Sequence, residues 1–272
     1  MFRRLMHIDR RYIQTQVRFA TDDLETMREA RRYQAHVFSL FRPYIGARVL
    51  EVGSGIGTTT RTLIDLAERV VGIEPNRASV ARLRQAVGHH PAFLLHDRHL
   101  EECDRHELIA ERFDTILCVN VLEHIENDTE ALRVFAEIAA PAHGHVLIFV
   151  PAVQAAYGRL DAALGHHRRY SRRALARKFD AAGLDLQVLK YTNPVGLLAW
   201  MFKAYVMRSA AHSSREIALF ETLVAPWALP LERLVSAPVG LSLVAVARPR
   251  SRRSTRTARN SKMRSFTSSR PS

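Results

Sequence analysis

The 272-residue chain reads as an α/β protein on an open, mostly parallel seven-stranded sheet with helices on both faces. Three observations carry this expectation. Short runs rich in β-branched residues alternate with stretches of helical period along most of the chain. A glycine turn, Gly53, Gly55 and Gly57, joins the first such run to a helical stretch, which is the opening of a βαβ unit. Polar residues close successive runs at constant spacing, Glu51, Glu74, Asp97 and Asn120 recurring every 23 residues. Sheets of this kind bind ligands at the carboxyl ends of their strands, so these four are candidate site residues.

The elements follow in order. Asp22 and Glu25 form a capping pair for a helix whose apolar positions Leu24, Met27, Val37, Phe38 and Phe41 run to Pro43. Arg48 to Val52 is the first strand, and a helical pattern resumes from Thr58 to Arg69. Arg69 to Ile73 is the second strand, ending at Glu74-Pro75, with a helix through Val80, Leu83 and Val87 behind it, closed by Gly88. Ala92 to Leu95 and Phe113 to Val119 are the third and fourth strands, ending at His96-Asp97 and Asn120. Asn127 or Asp128 caps a helix through Leu132, Phe135 and Ile138, and His145 to Val150 is the fifth strand. Ser171 caps a helix through Leu175 and Phe179, then Leu184 to Tyr191 and Gly240 to Ala247 complete the sheet. Between these last two strands an apolar, Pro-interrupted stretch reads as a helical insertion over the site. The expected organisation is therefore a basic extension over 1–23, a main domain over 24–247 with 192–239 as insertion or lid, and a disordered Arg/Ser-rich tail over 248–272.

An apolar content of 47% against 25% charged residues excludes a wholly disordered chain and a polytopic membrane protein. The net charge of +13 is concentrated in the tail, where nine Lys and Arg residues occur without an acid, leaving the rest near +4. A solvated tail rather than a basic body argues against nucleic acid as the partner. The apolar run from Val195 to Phe202 stops at Lys203, and the one from Ile217 to Leu231 contains Glu221, Pro226 and Pro230, so neither spans a bilayer. Cys103 and Cys118 cannot make a disulfide framework, which fits a cytoplasmic protein. The insertion, with Pro194, Leu197, Leu198, Trp200, Met201, Phe202 and Tyr205, and the basic tail together add an expected peripheral contact with the inner membrane face. His96, His99, Cys103 and His106 offer zinc-type donors at no familiar zinc spacing, and no metal is expected.

The frame Glu51-x-Gly53-x-Gly55-x-Gly57 departs from the dinucleotide fingerprint, whose last glycine would fall at Thr58. No tyrosine is followed four residues later by lysine, which also counts against a short-chain reductase. From about Tyr33 to Ala247 the chain instead resembles the class I S-adenosylmethionine-dependent methyltransferases. The run Val119-Asn120-Val121-Leu122-Glu123-His124-Ile125 resembles the small-molecule branch that includes the quinone-biosynthetic enzymes. That resemblance implies a Rossmann-like sheet with S-adenosyl-L-methionine as cofactor. Glu51, Gly53, Ser54, Gly55 and Gly57 would then cradle its methionine part, and Glu74, with Pro75 behind it, would hold the ribose hydroxyls. Asp97 would meet the adenine amine, Asn120, Val121, Leu122, Glu123 and His124 would lie near the sulfur, and Tyr33 over the cofactor. Gly165 to Ser171 resembles a segment that closes such sites from above, with His166 and Arg169 towards the acceptor and Arg168 and Tyr170 in packing.

Methyl transfer from a sulfonium is an in-line displacement that rewards positioning. A hydroxyl acceptor also needs to lose its proton, and His124 and His166 are the candidate catalytic bases. The expected acceptor is a small or lipid-like hydroxyl compound, with carbon and nitrogen acceptors open. Methylation of nucleic acid or protein, and a non-catalytic scaffold on the same fold, are the alternatives. The Asn120-Val121-Leu122-Glu123 run lacks the paired prolines usual in adenine-amino enzymes.

Overall fold

Four of the five parallel strands form from short, continuous runs buried on both faces, and the remaining one, at the sheet edge, is only partly buried. In the computed structural model these are β1 (Arg48–Val52), β2 (Arg69–Ile73), β3 (Phe93–His96), β4 (Thr115–Val119) and β5 (His145–Pro151). Two further strands, β6 (Leu184–Thr192) and β7 (Ser242–Pro249), complete a sheet of order β3-β2-β1-β4-β5-β7-β6. β7 lies antiparallel between β5 and β6. The structure describes residues 24–202, 214–234 and 237–251. The expected basic extension over 1–23, Tyr205 and the tail from Arg252 onward lie outside the described residues.

Side chains alternate across the sheet with period two. Leu50, Val52, Val71, Ile73, Ile116, Cys118 and Ile148 face one core, which is covered by helices Asp128–Ala139 and Arg172–Ala181. Val49, Val70, Leu117, Leu147, Phe149 and Val244 face the other, against Val37 and Phe41 of helix Arg31–Phe41 and Leu63 of helix Thr58–Ile64. Caps stand where the sequence places them: Asn127 accepts from Glu130 N, and Ser171 from Ala174 N. Asn76 accepts from Ala78 N and Ser79 N and starts helix Arg77–Val87.

Two local expectations are corrected, and two short helices are added. The helix expected from Leu24 to Phe41 is interrupted at Ala30, whose backbone (φ −75°, ψ 58°) leaves the helical region. There the Met27 carbonyl accepts from Ala30 N and the Gln34 side chain instead of sustaining the helix. β4 starts at Thr115 rather than Phe113, because the Asp114 carboxylate is used to bind the amides of Ala47 and Arg48 at 2.8 and 3.1 Å. Two short helices, Arg105–Ala110 and Arg159–Leu164, were too brief to show a period.

The insertion holds helix Pro194–Phe202, helix Ser214–Leu219, a π turn Phe220–Val224 and helix Ala225–Leu234. It is tied to the body at its middle and near its end. Glu221 accepts from the amides of Arg32 and Tyr33, capping helix Arg31–Phe41 from outside. Glu232 accepts from Thr192 Oγ1 at 2.8 Å and Asn193 N at 2.9 Å. No helix among the described residues is long and apolar enough to cross a membrane.

Candidate functional site

Strand register sets the floor of the site. Val52 pairs with Ile73 and Cys118, and Ile73 with His96, so Gly53, Glu74, Asp97 and Val119 stand one residue beyond a common line across four adjacent strands. Asn120 follows at the next position, with φ 52° and its amide donating to Phe149 O. Glu51 sits inside β1, opposite Gly72 and Leu117.

The glycine loop leaves this line as bare backbone. Gly53 has φ 79°, and a Cβ there would come within 2.1 Å of Val121 Cγ2, so only glycine lets the loop after β1 and the loop after β4 approach so closely. Ser54 is buried, its hydroxyl lying against Gly72. Gly55 N donates to Glu74 Oε2 at 2.8 Å, and Gly57 is the left-handed N-cap of helix Thr58–Ile64. Glu74 also accepts from Asn76 N at 2.8 Å; burial raises its carboxyl pKa despite these two bonds. The Glu51 carboxyl is buried beneath the loop and accepts from Thr60 Oγ1 at 2.6 Å. Desolvation pushes it up to about 7, against the Thr60 bond.

Glu51, Gly53, Ser54, Gly55, Gly57, Glu74, Asn120 and Val121 are thus brought together; Pro75, next to Glu74, is exposed. Two expected residues stand apart. Asp97 is exposed and pairs with Arg84 at 2.8 Å. Tyr33 packs edge-on to Phe220 with ring centroids 6.3 Å apart, and its hydroxyl lies with Asn193 and Ser242 at the ends of β6 and β7. The assembled set suits a ligand with a vicinal diol and a charged amino-acid end: a carboxylate beside the loop, close backbone in the middle and the Asn120 turn opposite. S-adenosylmethionine has that form, and these residues fit it.

A second group lies beyond β4, where a 3₁₀ turn Leu122–His124 meets the loop after helix Arg159–Leu164. His167 N donates to Glu123 O, and Tyr157 Oη donates to His166 O. Asp161, fully buried, receives Arg169 Nε and His166 Nδ1 at 2.8 Å each, and Gly158 N at 2.9 Å. Burial opposes its charge, yet the His166 and Arg169 bonds outweigh burial and hold the carboxyl below its usual range. The Asp161 carboxylate is an acceptor for Nδ1–H, so it selects the imidazole tautomer in which Nε2 is the accepting nitrogen. That nitrogen is 3.9 Å from Glu123 Oε1. Glu123 is fully buried, and desolvation pushes its carboxyl up to about 8. The His124 ring stands edge-on to His166 at 4.7 Å. His124 is exposed, yet desolvation by the groups packed around its ring, together with the neighbouring His166, lowers its pKa.

Sequence reasoning missed Asp161. Its only signal is an acid inside the apolar run Leu160 to Leu164, five residues before His166. Trp200, expected in an apolar lid, instead donates Nε1–H to Ala156 O at 2.9 Å and stacks on Arg169, 4.3 Å from guanidinium to ring centroid. Arg168 and Tyr170 both bind Asp128, which also receives Lys178 Nζ, so this expected packing pair holds a buried carboxylate. Of His96, His99, Cys103 and His106, His99 and His106 are exposed and His96 and Cys103 half-buried.

The sequence profile described as "Methyltransferase domain" matches residues 7–189. A ubiquinone biosynthesis O-methyltransferase of Hahella chejuensis is 33% identical over 98 residues, 35% of this chain and 40% of that protein. The chain thus spans about two fifths of the length of this curated relative. Among solved structures, a chain of the complex containing the Haloferax volcanii Trm112 methyltransferase activator superposes with TM-score 0.58 at 15% identity, over 88% of this chain and 97% of that one. The DhpI–SAH complex superposes with TM-score 0.53 at 15% identity, over 89% and 96%. At these identities the two structures share the fold.

Proposed function

Because the chain belongs to the methyltransferase-domain family matched over residues 7–189, we propose that it transfers the methyl group of S-adenosylmethionine to a hydroxyl of a small, amphipathic molecule. The observation that carries this reading is the strand-end line itself. It sets a carboxylate, a bare glycine loop and the Asn120-Val121 turn side by side, one turn away from an oriented histidine pair.

Bound there, the donor supplies an electrophilic methyl carbon on a sulfonium. Glu74, oriented by the amides of Gly55 and Asn76, would accept the ribose hydroxyls. The glycine loop admits the amino-acid end without a side chain in the way. Asp97, at the end of β3, would be the group for the adenine amine if it left Arg84. The acceptor oxygen loses its proton to an imidazole nitrogen as the carbon–oxygen bond forms and the carbon–sulfur bond breaks. His166 is the better oriented base, since Asp161 fixes its tautomer; His124 shares the rim. The 165–170 loop and helix Pro194–Phe202, joined through the Trp200–Arg169 stack, would shield the acceptor from water.

An amphipathic acceptor is favoured by the insertion. Leu219, Leu223, Trp227 and Leu231 recur every four residues along one face and are 60, 62, 80 and 58% exposed. Leu198 of the preceding helix is 70% exposed. Such a stripe, with the basic tail following it in sequence, suits a lipid surface from which the acceptor is drawn. The ubiquinone biosynthesis relative points the same way.

Calorimetry with S-adenosylmethionine tests the donor site. Micromolar binding that weakens at least about tenfold in Glu74→Ala, with the unfolding transition retained, is the expected result. A folded protein that binds neither donor nor S-adenosylhomocysteine would overturn the reading and favour a non-catalytic scaffold. With binding in hand, transfer of labelled methyl to phenolic and lipid extracts identifies the acceptor.

A further inference from the structure

Glu123 is a carboxylate in search of a partner. It is fully exposed to protein and not to water, and neither of its oxygens has a hydrogen-bond partner. A buried polar group left this way is costly, which makes each instance informative. The nearest fixed cation does not serve it: Arg169 gives Nε to Asp161 and Nη1 to Ala152 O. What converges on Glu123 instead is imidazole. One ligating atom from each of Glu123, His124 and His166 lies within 4.8 Å of the others.

We propose that Glu123, His124 and His166 form a binding site for a divalent transition-metal ion, with zinc the ion that two imidazoles and one carboxylate suit best.

The outer contacts are those a metal site needs. Metal-bound histidines characteristically donate their second ring nitrogen to a carboxylate or a backbone carbonyl. His166 gives Nδ1–H to Asp161, which leaves Nε2 aimed at Glu123. His124 stands at the solvent edge, its ring edge-on to His166 at 4.7 Å. The His167 amide donating to Glu123 O and the Tyr157 hydroxyl donating to His166 O pin both halves of the site. Burial grades from Glu123 at the floor through His166 to His124 at the rim, so an ion has a way in. Metal–ligand bonds of about 2 Å place tetrahedral ligand atoms roughly 3.3 Å apart, so the three side chains must close by about an ångström, within reach of rotamer adjustment. Three protein ligands leave a fourth position open.

An ion there would polarise an acceptor hydroxyl and take over the part assigned above to His166 as base. That use rests on the methyl-transfer reading; the binding itself does not.

The test uses the full chain, stripped with chelator and titrated with Co²⁺ followed by Zn²⁺ competition, with donor binding measured separately on the same protein. The expected result is one equivalent of Co²⁺ with the intense visible absorption of a four- or five-coordinate ion, displaced by Zn²⁺. Glu123→Gln and His166→Gln should each weaken binding at least tenfold, and Asp161→Asn, which alters the partner of His166 and not a ligand, by about 10- to 100-fold. If Glu123→Gln loses its near-ultraviolet circular dichroism, His124→Gln at the solvent edge carries the same expectation. No saturable binding by folded wild type, or binding kept in both Glu123→Gln and His166→Gln, overturns the site. Donor binding that survives such a failure leaves the methyl-transfer reading and its histidine base standing.

Discussion

Gly53→Ala puts the closest approach in the site to a quantitative test. The added Cβ meets two penalties of different kind. At φ 79° an L-residue occupies the left-handed region, at about 1–2 kcal/mol. It also stands 2.1 Å from Val121 Cγ2, so Val121 or the loop must shift, an overpacking cost of about 1–3 kcal/mol. The two together predict a loss of about 2–5 kcal/mol in folding stability by chemical denaturation. They also predict weakened donor binding, because the shifted groups flank the cofactor. Val121→Ala separates the terms. It removes both Cγ methyls and leaves Val121 Cβ, which lies 3.2 Å from the added carbon, so Gly53→Ala in that background should cost only the backbone part, about 1–2 kcal/mol. The coupling between the two substitutions should therefore be about 1–3 kcal/mol. Equal cost in both backgrounds would mean that the two loops do not touch; no cost in either would mean that the turn is not left-handed.

Two further outcomes are expected. Glu51, raised from 4.5 to about 7, keeps its proton in the folded state, so its contribution to stability is full below pH 4.5 and is lost as pH rises through 7. The stability of Glu51→Gln relative to wild type should thus grow by up to about 3 kcal/mol between pH 4.5 and 8, and a difference flat with pH would refute the assignment. On the surface, Leu223→Ser with Trp227→Ser should reduce co-flotation with vesicles of mixed neutral and anionic lipid several-fold while leaving donor affinity unchanged; undiminished flotation would remove the insertion from any lipid contact.

β1 and β2 have the bounds that the sequence indicates, because a glycine turn and the Glu74-Pro75 step end short, doubly buried runs abruptly. Around them, legibility fades where side chains replace backbone bonds. Asp114 interrupts a run that looks continuous from Phe113 to Val119, since its carboxylate staples the start of β1. The donor half of the site was legible as spacing, but spacing alone set Glu51 level with Glu74, whereas register places it two residues behind, under the loop. Tyr33 was out of reach of local reasoning: its helix is capped by Glu221, 188 residues away, and its surroundings are made by the insertion. The same holds for Asp161, whose partners meet only after the 165–170 loop folds back over β5.

The antiparallel seventh strand has an evolutionary corollary. Thr192 and Ser242 are direct partners in the sheet, and Asn193 O accepts from both Leu197 N and Leu241 N, so residues 193–241 leave and re-enter the body at one place. The entropy of closing such a loop grows only with the logarithm of its length. The sheet is therefore nearly indifferent to what is spliced between those two residues. Selection can lengthen, shorten or exchange that segment as a cassette, changing which molecules are presented to the reaction while the machinery that reads the donor stays untouched.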